Sequence, residues 1–72
     1  MGMDIFRRYP VLRMVIVNTK TDLAFRGVLW RRRGGYLVLR NAEWLKGRGE
    51  VTQMDGEIVI DVSNVDFMQV VS

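Results

Sequence analysis

The segment from Asp22 to Glu43 most constrains the fold, because it contains two alternating apolar stretches on either side of a Gly-Gly pair. Apolar residues at every second position are typical of a half-buried β-strand, and a glycine pair between two such stretches is typical of a hairpin turn. Three basic residues precede this turn: Arg31, Arg32 and Arg33. The segment therefore predicts a β-hairpin with positive charge at its tip.

Further β-branched segments lie on both sides of this hairpin and are separated by turn signals. Residues 23–32 and 36–45 are the two hairpin strands, and the other predicted strands cover 11–18, 57–61 and 65–71. Residues 51–54 extend a ribbon, 62–64 form a 3₁₀-like or tight turn, and 4–9 form one helical turn ended by Pro10. Five short strands predict one all-β domain over residues 1–72, a barrel of the SH3 or OB type.

Two details of the second strand bear on its faces. Gly27 in its middle predicts a sharp bend, because glycine weakens a strand but permits a bulge. Strict alternation assigns Leu23, Phe25, Gly27 and Leu29 to one face, and Ala24, Arg26, Val28, Trp30 and Arg32 to the other. The three arginines then contact one ligand only if the tip curls.

The composition limits how so small a chain can be stabilised and what it can catalyse. It has 72 residues, no cysteine and no histidine, so disulfides and thiolate or imidazole zinc sites are excluded. A domain of this size is marginal alone, which favours oligomerisation. With two serines and scattered carboxylates, we expect no enzyme activity, catalytic residue, metal or cofactor. No apolar run approaches the roughly 20 residues of a membrane helix, so we expect a cytoplasmic protein without a membrane partner.

Charge is divided unevenly along the chain. Residues 1–48 contain eleven basic and three acidic side chains, a net charge of +8, whereas residues 49–72 contain five acidic side chains and no basic one. Such asymmetry is typical of a protein with a polyanionic partner. It is equally consistent with neutralisation of one half by the other, within a subunit or between neighbours.

The order of these features resembles the Sm-like family of small, strongly bent five-stranded barrels that assemble into rings. The first family motif is matched by Gly27-Val-Leu29, Leu37-Val-Leu39 and Asn41-Ala42. The second is matched by Gly56-Glu-Ile58-Val-Ile60, Ser63-Asn64-Val65 and Phe67-Met68. The final run VDFMQVV is also similar to small Sm-like proteins of bacteriophage origin. The resemblance covers the chain from Val11 onward and implies an SH3-like barrel and a homo-oligomeric ring.

This chain departs from the RNA-binding members of that family at the base-recognition positions. Those members have an Asp and an Asn in the loop between strands two and three, whereas this loop is Arg31-Arg-Arg-Gly-Gly followed by Tyr36. They end strand four with Arg-Gly, whereas this chain has Asp61-Val62. The resemblance therefore implies fold and ring assembly, but not the residues of a uridine pocket.

A basic, aromatic set of residues is the candidate site for RNA or single-stranded nucleic acid. Arginines supply phosphate contacts, a tyrosine supplies a stacking face, and the 46–48 loop supplies a second basic edge. The set comprises Arg31, Arg32, Arg33, Tyr36, Lys46 and Arg48. The alternative is that these arginines are solvated or pair with acids of a neighbour. Trp30 and Trp44 are interpreted as core or interface residues more readily than as stacking platforms.

The last two strands are the candidate subunit interface. Apolar edge strands invite pairing with another chain, and a neighbour's last strand added to the 57–61 strand would close a ring. The residues assigned to this interface are Ile58, Ile60, Val65, Phe67, Met68 and Val70. The alternative is a monomer whose edges are covered by residues 1–10. The two candidate functions are accordingly a ring that binds nucleic acid and a structural or protein-interaction oligomer without such a ligand.

Overall fold

The computed structural model describes residues 11–72 as a strongly bent antiparallel sheet. Its strands are β1 Met14–Thr19, β2 Ala24–Arg33, β3 Tyr36–Gly47, β4 Glu50–Gln53, β5 Ile58–Asp61 and β6 Val65–Val70. A 3₁₀ turn, Val62–Asn64, joins β5 to β6 as predicted. The helical turn predicted at residues 4–9 lies outside the described residues.

The long β3 strand organises the sheet. The strand order is β4-β3-β2-β1-β6, and β5 also pairs with β3. The first half of β3 pairs with β5, from Tyr36 opposite Asp61 to Leu39 opposite Ile58. Its second half pairs with β4, from Glu43 opposite Gln53 onward. β4 and β5 therefore follow one another along the same side of β3.

The described residues form six strands where five are predicted, because the chain leaves the sheet between β4 and β5. The backbone N–H of Met54 still donates to the carbonyl of Ala42 at 2.9 Å, but Gly56 then takes a positive φ of 74°. This left-handed conformation is incompatible with a continuous strand and is readily adopted by glycine. The ribbon predicted at residues 51–54 thus becomes a separate strand, β4 Glu50–Gln53.

Gly27 marks the bend in β2, as predicted. The β2–β3 register shifts between Arg26 and Val28, so that Asn41 and Ala42 together face this glycine. A Cβ at position 27 would lie 3.0 Å from the Arg40 carbonyl oxygen and 3.1 Å from the Ala42 Cα. A side chain here would therefore push the β3 backbone away by a few tenths of an ångström, which glycine avoids.

The hydrophobic core lies inside the bend. Alternate residues of β1 point into it, since Val15 and Val17 are fully buried while Ile16 between them is only partly buried. β2, β3 and β5 also contribute buried side chains, and the core includes Val15, Val17, Leu29, Leu37, Leu39, Ala42 and Ile60. No helix of the described part of the chain is long and apolar enough to cross a membrane.

Candidate nucleic-acid interface

A bulge at Trp30 decides which arginines face the same way. Leu29 lies opposite Leu39, but the next pair joins Arg31 to Val38, so Trp30 is an extra residue on β2. An extra residue reverses the alternation of faces beyond it. Strict alternation therefore predicted the wrong faces here, because Arg31 and Arg33 lie on the outer face and Arg32 lies on the inner face opposite Leu37.

The outer face beyond the bulge forms an open groove of about 330 Å³. Two rows of cross-strand neighbours run over β2, β3 and β5. One row is Arg33, Tyr36 and Asp61, and the next is Arg31, Val38 and Val59. The groove is lined by Arg31, Arg33, Tyr36, Val38, Glu57 and Val59.

The floor of the groove is apolar and partly open to solvent. Val38 is buried, although it points away from the core, whereas Tyr36 is 40% exposed and Val59 is 59% exposed. An exposed aromatic ring beside aliphatic side chains offers a surface on which a planar ligand can pack. The groove therefore combines guanidinium groups with a stacking surface.

Glu57 closes the groove on the side of β5 and is held by an ion pair. Arg40 Nε donates to Glu57 Oε2 at 2.8 Å, and both side chains are about half exposed. The Arg40 guanidinium carbon also lies 3.9 Å from the centroid of the Trp30 ring, within the range of a cation–π contact. The bulged tryptophan thus contacts the arginine that holds the carboxylate.

A backbone hydrogen bond attaches the hairpin tip to the neighbouring turn. The N–H of Val62 donates to the carbonyl of Gly35 at 2.8 Å. Gly34 takes a positive φ of 56°, which allows the chain to reverse immediately before this bond. The tip is therefore tied to the start of the 3₁₀ turn, next to Asp61.

The structure does not bring all six candidate residues together. Arg31, Arg33 and Tyr36 share the groove, whereas Arg32 is half-buried on the opposite face. Lys46 and Arg48 lie in the β3–β4 hairpin, at the other end of β3 from Tyr36. Lys46 Nζ lies 4.6 Å from the centroid of the Trp44 ring. The two basic regions are therefore separate.

Three groove residues, Val38, Glu57 and Val59, were not identified from the sequence. The sequence pattern that could have identified them is alternation in two antiparallel strands. Glu57, Val59 and Asp61 alternate in one, and Tyr36, Val38 and Arg40 alternate in the other. This alternation indicates a shared face only after the register of β3 and β5 is known. Two stretches some twenty residues apart do not specify that register by themselves.

The candidate interface residues differ in what they can offer a neighbour. Phe67 and Val70 of β6 are exposed, at 53% and 48%. Ile58, Val65 and Met68 are partly buried and pack against the core, and Ile60 as a whole residue is only 6% exposed. Ile60 therefore offers little surface to another subunit.

Two solved structures are similar to this chain over most of their lengths. A heptameric archaeal Sm protein matches with 27% identity and a TM-score of 0.75, over 86% of this chain and 90% of that one. The SmAP1 heptamer of P. aerophilum matches with 25% identity and a TM-score of 0.77, over 100% of this chain and 93% of that one.

No protein-family model and no curated protein sequence matches the chain. The bent sheet, the close approach at Gly27 and the 3₁₀ turn before the last strand agree with the resemblance found in the two sequence motifs. The similarity to both solved structures extends over nearly all of the fold and confirms that resemblance. The chain therefore has the fold of these Sm proteins, which are similar to it in both sequence motifs and structure.

Proposed function

We propose that this protein forms a homo-oligomeric ring that binds RNA or single-stranded nucleic acid in the groove at its hairpin tip. The observation that supports binding is the grouping of Arg31, Arg33 and Tyr36 on one face. Guanidinium groups bind phosphate, and the exposed tyrosine ring provides a face for a base. Contacts of this kind give affinity that depends strongly on salt.

Ring assembly is supported by the two similar structures, both of which are heptamers. One of them has been discussed in relation to the core of eukaryotic snRNPs. In a ring of identical subunits the groove recurs once per subunit, so one strand can occupy several grooves. Linked sites raise the overall affinity without any new contact. Lys46 and Arg48 supply a second basic edge at the other end of β3.

Fluorescence anisotropy of labelled oligonucleotides, titrated with protein at several salt concentrations, tests this function. We expect binding that weakens steeply with salt. The Arg31→Ala/Arg33→Ala variant loses two phosphate contacts in each groove. The slope of log K against log salt should therefore become less steep by about 1.4. Arg32 is left in place because it is half-buried on the other face.

Lys20→Ala is the charge control, since this exposed residue lies in the β1–β2 turn, outside the groove. It should leave the affinity nearly unchanged. Absence of binding at low salt, or an equal loss in the Lys20→Ala variant, would contradict the proposal. Size-exclusion chromatography with light scattering establishes that each variant is still assembled.

A structural or protein-interaction ring without nucleic acid is the second candidate. The observations that favour it are the wholly acidic charge after residue 48 and the presence of Asp61-Val62 where RNA-binding relatives have Arg-Gly. In such a ring the groove arginines pair with acids of the adjacent subunit. The Arg31→Ala/Arg33→Ala variant would then dissociate into smaller species, rather than remain assembled and lose only nucleic acid.

A further inference from the structure

We infer that the groove selects bases that carry an exocyclic amino group, such as cytosine and adenine, over uracil, and that the Glu57 carboxylate makes this choice. The inference rests on the proposed function, because it names the ligand class of the same groove. It depends on three features of the groove: the order of its groups across the strands, the accepting capacity of Glu57, and the apolar floor between them.

The groups that line the groove change in character from one side to the other. Arg31 and Arg33 lie on β2, Tyr36 and Val38 on β3, and Val59 and Glu57 on and just before β5. Two interstrand spacings, roughly 10 Å, separate the cationic side from the carboxylate side. A nucleotide has the same polarity, with an anionic phosphate at one end and the hydrogen-bonding edge of its base at the other.

This order fixes the direction in which a nucleotide fits. Phosphate at the β2 side meets the two guanidinium groups, whereas phosphate at the β5 side meets the Glu57 carboxylate and is repelled. With the phosphate on β2, the base packs on Tyr36 and over Val38 and Val59. Its edge then points toward Glu57.

Glu57 can accept hydrogen bonds from that edge. A carboxylate has about four lone-pair positions, and Arg40 Nε uses one of them on Oε2. The Glu57 side chain is 47% exposed, so a ligand can reach it. The contact of Arg40 with Trp30 and Glu57 orients this carboxylate before any ligand arrives.

An ionised carboxylate only accepts hydrogen bonds, and this property distinguishes the bases. Cytosine presents an N4 amino donor and adenine an N6 amino donor, whereas uracil presents the O4 carbonyl at the position of the cytosine amino group. When the 4-position of a pyrimidine faces Glu57, the cytosine amino group donates to the carboxylate, whereas the uracil O4 carbonyl faces it acceptor to acceptor; the adenine N6 amino group donates in the same way. Cytosine and uracil are otherwise nearly the same in size and stacking surface, so they form the sharpest test.

The test compares oligo-C and oligo-U of equal length by anisotropy, with the assembled wild-type protein and two variants. For the wild type we expect oligo-C to bind about five- to tenfold more tightly, as one base-edge contact implies. In Glu57→Gln this ratio should fall to about one or reverse, because the amide can donate to O4. Asp61→Asn is the matched control, since it removes the same charge opposite Tyr36 but outside the groove lining, and it should keep the wild-type ratio.

The outcomes separate this inference from the function on which it rests. Equal or tighter binding of oligo-U, an unchanged ratio in Glu57→Gln, or loss of the ratio in Asp61→Asn overturns the selectivity while leaving nucleic-acid binding intact. Absence of binding to both oligonucleotides at low salt overturns the proposed function and the selectivity together.

Discussion

Two residues of β2 determine how the sheet bends and what its outer face displays. Gly27 allows the backbone of β3 to approach closely at Arg40 and Ala42. Trp30 adds one residue to β2 and thereby turns Arg31 and Arg33 to the outer face. Each residue lies at its own register shift between β2 and β3. At Gly27 the missing side chain allows the close approach, and at Trp30 the additional residue reverses the faces.

Replacing Gly27 with alanine should destabilise the protein by about 1–3 kcal/mol, the usual cost of overpacking. The new Cβ would meet backbone atoms of Arg40 and Ala42, which cannot move as a flexible side chain does. The free energy of unfolding from urea titration, at a fixed protein concentration, measures this loss.

Gly35→Ala is the matched control for that substitution. A Cβ at Gly35 meets nothing within 4 Å, and its φ is not in the left-handed region. Its stability should therefore stay the same or rise by up to about 1 kcal/mol through the reduced entropy of the unfolded chain. Equal losses in both variants would show that the contact at Gly27 is not what distinguishes this position.

At the scale of elements, the important property is that β5 and β6 are each paired on one side only within the described residues. β5 pairs with β3, and β6 pairs with β1. Phe67 and Val70 are exposed on β6. Open apolar edges are templates for another strand, so they are the surfaces through which we expect subunits to join.

Phe67→Lys should convert the assembled protein into smaller species, because it introduces charge on the open β6 edge. Phe67 is 53% exposed, so this change should leave the fold of the subunit intact. Analytical ultracentrifugation measures the mass of the species, and circular dichroism reports the retained β-structure.

Val51→Lys provides the control for charge at an edge. Val51 is 47% exposed on β4, which pairs only with β3 among the described strands and is not part of the candidate interface. This variant should keep the wild-type mass. An assembled Phe67→Lys protein, or a dissociated Val51→Lys protein, would argue against the β5–β6 interface.

At the scale of the whole molecule, small size limits how stable a single subunit can be. A domain of this length buries only about 60% of the surface that its unfolded chain exposes, so a single subunit is marginal. Without cysteine or histidine, the chain has neither a disulfide nor a thiolate or imidazole zinc site to compensate. We expect association through Phe67 and its neighbours to supply the missing apolar burial.

The midpoint of thermal unfolding should therefore rise with protein concentration, since an assembly that forms only from folded subunits is stabilised by mass action. Scanning calorimetry over a hundredfold range of concentration measures this shift. Phe67→Lys should show a lower midpoint that depends little on concentration. A wild-type midpoint independent of concentration would indicate that the subunit is stable by itself.

Local signals in the sequence were sufficient for most of the fold. Alternation and turn residues identified the hairpin, Gly27 identified the bend, and the short 62–64 connection identified the 3₁₀ turn. The hairpin and the turn depend on residues adjacent in the chain. The bend depends on a glycine inside a strand, and such a glycine usually marks a bulge, a bend or a close backbone approach. The sequence also indicated the basic tip and its tyrosine.

The sequence by itself determined the strands, the bend and the charge of the tip, whereas the tertiary structure decided which side chains meet there. It separated Arg32 from Arg31 and Arg33 through the bulge at Trp30, and it brought Glu57 to the same groove. The physical reason is register: side chains alternate with a period of two, so a shift of one residue between strands transfers every later side chain to the opposite face. That register is set by packing between segments distant in the chain, and no local pattern contains it.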